Sequence, residues 1–119
     1  MEILEKRIYE DTTNADGFRV LADRLWPRGL SKEKAKINLW AKDIAPSTEL
    51  RKSYHGEEIG FKEFSKIYLK ELSENPKTED FLKEIKNHKI ITLLTSVKEI
   101  ETSELPVLKK FIEQHLNLK

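Results

Sequence analysis

At 119 residues, with 38% hydrophobic and 36% charged residues, the chain is sized for one domain spanning 1–119, with a single core under a heavily charged surface. The absence of cysteine excludes disulfides, thiolate nucleophiles and Cys-ligated metal centres. No run approaches the roughly 20 apolar residues of a membrane span, and the opening MEILEKRIYE lacks a signal peptide's apolar stretch, so a cytoplasmic protein without membrane contact is expected. The net charge of +1 hides an asymmetry: residues 19–52 hold nine basic and four acidic side chains, a net +5 against −4 for the remainder. Such a block attracts an anionic small molecule or a nucleic-acid backbone.

Taken in chain order, ILEKRIY alternates weakly and carries β-branched residues, which predicts a strand over 2–8 followed by the polar loop DTTNADG. FRVLAD reads as a second strand ending at Asp23. WPRGL interrupts regular structure through its proline and glycine, and Ser31 can cap a short helix over KEKAK. INLWAKDIA places Ile37, Leu39 and Ala41 on one side of a short third strand. Pro46 and Ser47 then announce a helix running to about Tyr54, with Glu49 in its first turn.

Phe61, Phe64, Tyr68 and Leu72 recur at helical spacing with Ile67 beside them, an amphipathic helix of three to four turns. Asn75-Pro76 restarts a short helix in which Phe81, Leu82 and Ile85 share a face. KIITLL, at 89–94, is a nearly unbroken apolar run of the kind found in a central parallel strand covered on both faces. A last helix carries Leu105, Leu108, Ile112 and Leu116, with Pro106 in its first turn. Strands separated by helices in this order predict an α/β fold of three layers, a mostly parallel short sheet with helices on both faces.

In open parallel sheets ligands bind beyond the carboxyl ends of the strands. Here those ends are Asp23-Arg24 and Thr95-Ser96. Arg24 and Arg28, four apart across a Pro-Gly turn, can converge on one carboxylate or phosphate, or one of them can simply pair with Asp23 or Asp43. Trp26 is a stacking platform or, more commonly for tryptophan, a lid over the core. Asp23 and Asp43 are the candidates for an acid and base, against the plainer role of structural ion pairing. Ser47 at a helix start, with Arg51 one turn along, adds donors for an anion or serves only as a cap. His55, His88 and His115 lack metal-pair spacing, so neither a metal nor a cofactor is assigned. GxGxxG, GxxxxGK[ST] and GxSxG are all missing from the sequence.

The run GFRVLADRLWPRGLSKEKAKINLWAKDIAPSTELRKSY at 17–54, with its DRLWPRG and D-x-A-P-S segments, resembles the YeaO-like family of bacterial and archaeal proteins, a domain-of-unknown-function family. KRIY at 6–9 is similar to that family's opening strand, so the resemblance covers nearly the whole chain. It implies a compact α/β domain whose shared polar positions fall here on Arg7, Tyr9, Arg19, Asp23, Arg24, Trp26, Arg28, Asp43 and Ser47. The chain departs from the pattern after the apolar strand: LLTSVKEIETSEL stands where family members resemble LLYAAKD followed by a His/Asn pair.

The reading that combines these features is a small anionic ligand, bearing phosphate or carboxylate, bound at a rim formed by 23–29, 43–51 and 95–98. Arg24 and Arg28 would grip it, with Trp26, Ser47, Arg51, Thr95 and Ser96 around it, Asp23 and Asp43 as possible catalytic groups, and Arg7, Tyr9 and Arg19 in support. The rivals are a nucleic-acid-binding module using the basic 19–52 segment, and a structural or partner-binding protein without a ligand.

Overall fold

The computed structural model describes residues 1–117. Four parallel strands form its sheet: β1 (Glu2–Arg7), β2 (Phe18–Leu21), β3 (Leu39–Trp40) and β4 (Ile90–Thr95), in the order β1-β4-β2-β3. Five α-helices accompany them: α1 (Lys32–Ala35), α2 (Thr48–His55), α3 (Phe61–Glu74), α4 (Thr78–Ile85) and α5 (Glu104–His115). The α/β class expected from the alternation of elements is the one found.

The apolar run IITLLT becomes β4, which has a strand on each side. β1 pairs with it over six positions from Glu2↔Ile90 to Arg7↔Thr95, and β2 over four, from Phe18↔Ile91 to Leu21↔Leu94. Its side chains therefore meet protein above and below, which is why the run lacks the alternation of a half-exposed strand. Ile91 and Leu93 face the larger core with Ile3 and Val20, and Leu94 faces a smaller one with Ile8, Leu21 and Ala35.

The larger core is closed by α3, α4 and α5. Phe64, Tyr68 and Leu72 of α3 are buried at i, i+4, i+8, each contributing roughly 1.5–3 kcal/mol of hydrophobic stabilisation. Pro76 keeps Asn75 extended (φ −80°, ψ 121°), so α3 stops there and α4 starts at Thr78, slightly later than the Asn75-Pro76 signal suggests. The opposite face is thinly covered: one-turn α1, capped by the Ser31 hydroxyl, the flanking loop residues Trp26, Leu30 and Ile37, and Trp40 of β3.

The third strand is shorter than INLWAKDIA suggests, and its facing is different. Ile37 packs on the smaller core while Leu39 and Ala41 pack on the larger, so the three do not share a side. Lys36 ends α1 in the left-handed region (φ 47°), leaving Ile37 in the turn, and only Leu39 and Trp40 reach the ladder before a 3-10 turn at Lys42–Ile44. At the amino end of the sheet Gly17 has φ 63°, and a Cβ there would meet the Ile90 carbonyl oxygen. The backbone crosses onto β2 only because that position is glycine. Among the described residues no helix is long and apolar enough to cross a membrane.

Candidate functional site

Because all four strands are parallel, Arg7, Asp23 and Thr95-Ser96 leave the sheet at one edge. The turn after β2 and the loop after β4 are latched there by one carboxylate. Asp23 Oδ1 accepts from the Thr95 hydroxyl, and its Oδ2 accepts from both the Ser96 backbone N–H and the Ser96 hydroxyl, each at 2.7 Å. Arg7 holds the same loop from the other side, donating to the Ser96 and Val97 carbonyls at 3.2 Å. Its guanidinium lies 5.1 Å from the ring centre of Tyr9, whose hydroxyl donates to the Arg28 carbonyl.

These groups surround a cavity of about 430 Å³. Arg7, Tyr9, Asp23, Arg24, Trp26, Arg28, Arg51 and Ser96 line it, so eight of the residues singled out from sequence converge. Their roles differ. Arg24 spends Nε and Nη2 on the Pro46 and Ala45 carbonyls, at 3.0 and 2.9 Å, fixing the chain ahead of α2. Trp26 packs on the smaller core, edge-on to Trp40 at 5.2 Å, with its indole N–H on the Leu30 carbonyl. Arg28 is exposed and its guanidinium bonds to nothing among the described residues, while Arg51 has a buried Nε without a partner.

Four candidates lie elsewhere. Thr95 is fully buried behind Asp23. Ser47 caps α2, but its N–H and hydroxyl both donate to the Glu71 carboxylate, so the anion at this helix start is the chain's own side chain, 24 residues away. Asp43 is exposed on a separate groove beside β3 and α4, with its carbonyl accepting from Asn75, so the two aspartates do not share a pocket. The 3-10 turn after β3 carries Asp43 away from the strand end. Arg19 is buried beneath α1.

Of the cavity residues that the sequence does not single out, one is a buried acid. Glu104 opens α5, is only 6% exposed, and its Oε2 has no hydrogen-bond partner among the described residues. Burial pushes its carboxyl well above the usual carboxylate range, and Asp23 alongside pushes it further, against the opposing pull of its own N–H and Thr95. In sequence a glutamate after Ser103 looks like an ordinary first-turn acid.

A titration consequence follows from this burial. A raised acid stabilises the fold below its unfolded value of 4.5 and loses that contribution as pH climbs toward the raised one. Glu104→Gln should match the wild type near pH 4 and gain on it above, at a slope of up to about 1.4 kcal/mol per pH unit. Urea unfolding of both proteins across that range measures it; parallel curves would show that Glu104 titrates as a free carboxyl.

The matching family model, described as the inactive DUF488-N3 subclade (DUF488-N3i), covers residues 2–119. The chain belongs to this YeaO-like family. A relative within it, the Uncharacterized protein YeaO of Escherichia coli (strain K12), is 39% identical over 112 residues, 94% of this chain and 97% of its own. Two mycobacterial proteins, Uncharacterized protein Mb3100c of Mycobacterium bovis and Uncharacterized protein Rv3073c of Mycobacterium tuberculosis, are each 36% identical over 106 residues, 89% of both chains. No solved structure matches.

Proposed function

We propose that this member of the family binds a small phosphate- or carboxylate-bearing anion in the cavity at the carboxyl edge of its sheet, without transforming it. The observation that carries the reading is the pair of unspent guanidinium groups, Arg28 and Arg51, on the wall of one cavity. A guanidinium is always charged and its fork matches an oxyanion's two oxygens. Arg7 and Arg24 add positive charge from the same wall, against Asp23 and Glu104. The family's description as an inactive subclade supports binding over catalysis. So does the use of Asp23: its two oxygens already accept three donors, which suits a latch better than a base.

Calorimetric titration with inorganic phosphate and with glycerol phosphate tests the reading. Arg28→Ala should weaken both by at least roughly tenfold, the loss of one charge-assisted contact, while an exposed side chain leaves the melting temperature within a few degrees. Retained affinity with a large fall in stability would assign Arg28 to the scaffold. If neither anion binds while a single-stranded oligonucleotide does, with steep salt dependence, the basic segment serves nucleic acid instead.

A further inference from the structure

The large apolar side chains that remain exposed among the described residues are Tyr9, at 43%, and Leu25, at 58%. Scattered singly, such residues mean little. Here both lie on the wall of the same cavity, flanking the turn that carries Arg28. Tyr9 is held in place from both ends, its ring by the Arg7 guanidinium and its hydroxyl by the Arg28 carbonyl. Leu25 has no such tether.

The rest of the cavity has the same mixed character. Tyr54 and Phe64, stacked at 4.4 Å, reach another part of the wall, and Tyr54 donates to the Thr102 carbonyl. A volume of about 430 Å³ exceeds what a lone tetrahedral oxyanion fills and falls in the range of metabolite pockets. Guanidinium groups beside exposed apolar surface fit one ligand carrying both kinds of group.

Building on the anion-binding reading above, we propose that the bound anion carries an aromatic group, its charge held by Arg28 and Arg51 and its ring against Leu25 and Tyr9. An exposed leucine at the mouth contributes only when a ligand covers it, so it selects among anions that the arginines alone would treat alike.

The test compares phenyl phosphate with methyl phosphate by calorimetry on the intact chain. Phenyl phosphate should bind about tenfold more tightly, the effect of covering a modest part of one ring. Leu25→Ser, at a position too exposed to matter for folding, should reduce that preference to about threefold or less. Equal affinities in the wild type overturn this inference and leave the anion site standing. A preference that survives Leu25→Ser also overturns it, placing the ring elsewhere. Binding of neither compound removes the inference and the anion site together.

Discussion

Arg19→Ala is expected to cost about 3–5 kcal/mol of folding stability, the range for removing one partner of a buried ion pair. Arg19 is 3% exposed and pairs with the equally buried Asp16, while its Nε and Nη2 donate to the Lys36 and Ala35 carbonyls at 3.1 and 2.9 Å. One side chain thus neutralises the aspartate and caps the end of α1. Truncation leaves two carbonyls and a carboxylate with fewer donors, and among the described residues Lys6, at 3.1 Å, is then the one cation still paired with Asp16, beside the Thr13 N–H and hydroxyl. Arg19→Lys should recover part of the loss, because an ammonium keeps the charge but lacks the fork that spans three acceptors.

The same pair has an acid signature. Burial would raise the Asp16 carboxyl, but Lys6, the Thr13 N–H, Arg19 and the Thr13 hydroxyl outweigh it and hold it below its ordinary 3.8. A lowered acid stabilises the fold above 3.8 and loses that contribution as pH falls through the depressed value. The gap between wild type and Arg19→Ala should therefore be widest near neutrality and narrow in acid, as urea midpoints will show. Arg19 lies outside the cavity, so phosphate affinity in Arg19→Lys should stay at the wild-type level. A matching loss of binding would mean that the residue belongs to the site after all.

Periodicity made β4, α3 and α5 legible, since burial on both strand faces or along one helix stripe leaves its mark on the residues themselves. The rim was legible for a related reason: a parallel sheet sends the segments after its strands to one edge, so DRLWPRGL and Thr95-Ser96 were bound to meet. What those residues do there was not. Arg24 and Arg28 look equivalent as letters, yet only the fold decides that Arg24 reaches the Ala45 and Pro46 carbonyls while Arg28 stays unspent.

Ser47 shows the same boundary from the other side. Its capping role is local and legible in the sequence, but its anionic partner is Glu71, brought up by α3. Asp43 follows a two-residue β3 and sits in a 3-10 turn, which takes it away from Asp23 in a way the letters INLWAKDIA do not show. Glu104 is not legible in the sequence, because nothing local distinguishes a buried glutamate from a solvated one. The loop after β4 is also where the latch on Asp23 is made, by Thr95 and Ser96.

That latch carries the second large effect. Asp23→Ala should destabilise the fold by about 3 kcal/mol, less than the sum of three bonds to a charged acceptor because the groups act together and Glu104 is relieved of a neighbour. The Ser96 N–H loses its acceptor, and the β2 turn and the loop after β4 are no longer tied at the cavity rim. Asp23→Asn should be little better, since its amide group presents hydrogens to at least one of the donors the carboxylate satisfies. The contribution of Glu104 is separable by a double-mutant cycle. In a Glu104→Gln background, at a pH high enough to ionise Glu104, Asp23→Ala should cost about 1 kcal/mol more than in the wild type, because the amide can donate to Asp23 whereas the glutamate carboxylate competes with it. Urea unfolding of the four proteins measures the coupling. Strict additivity would mean that the two carboxyl groups do not sense each other, and Glu104 would then owe its raised proton affinity to burial alone.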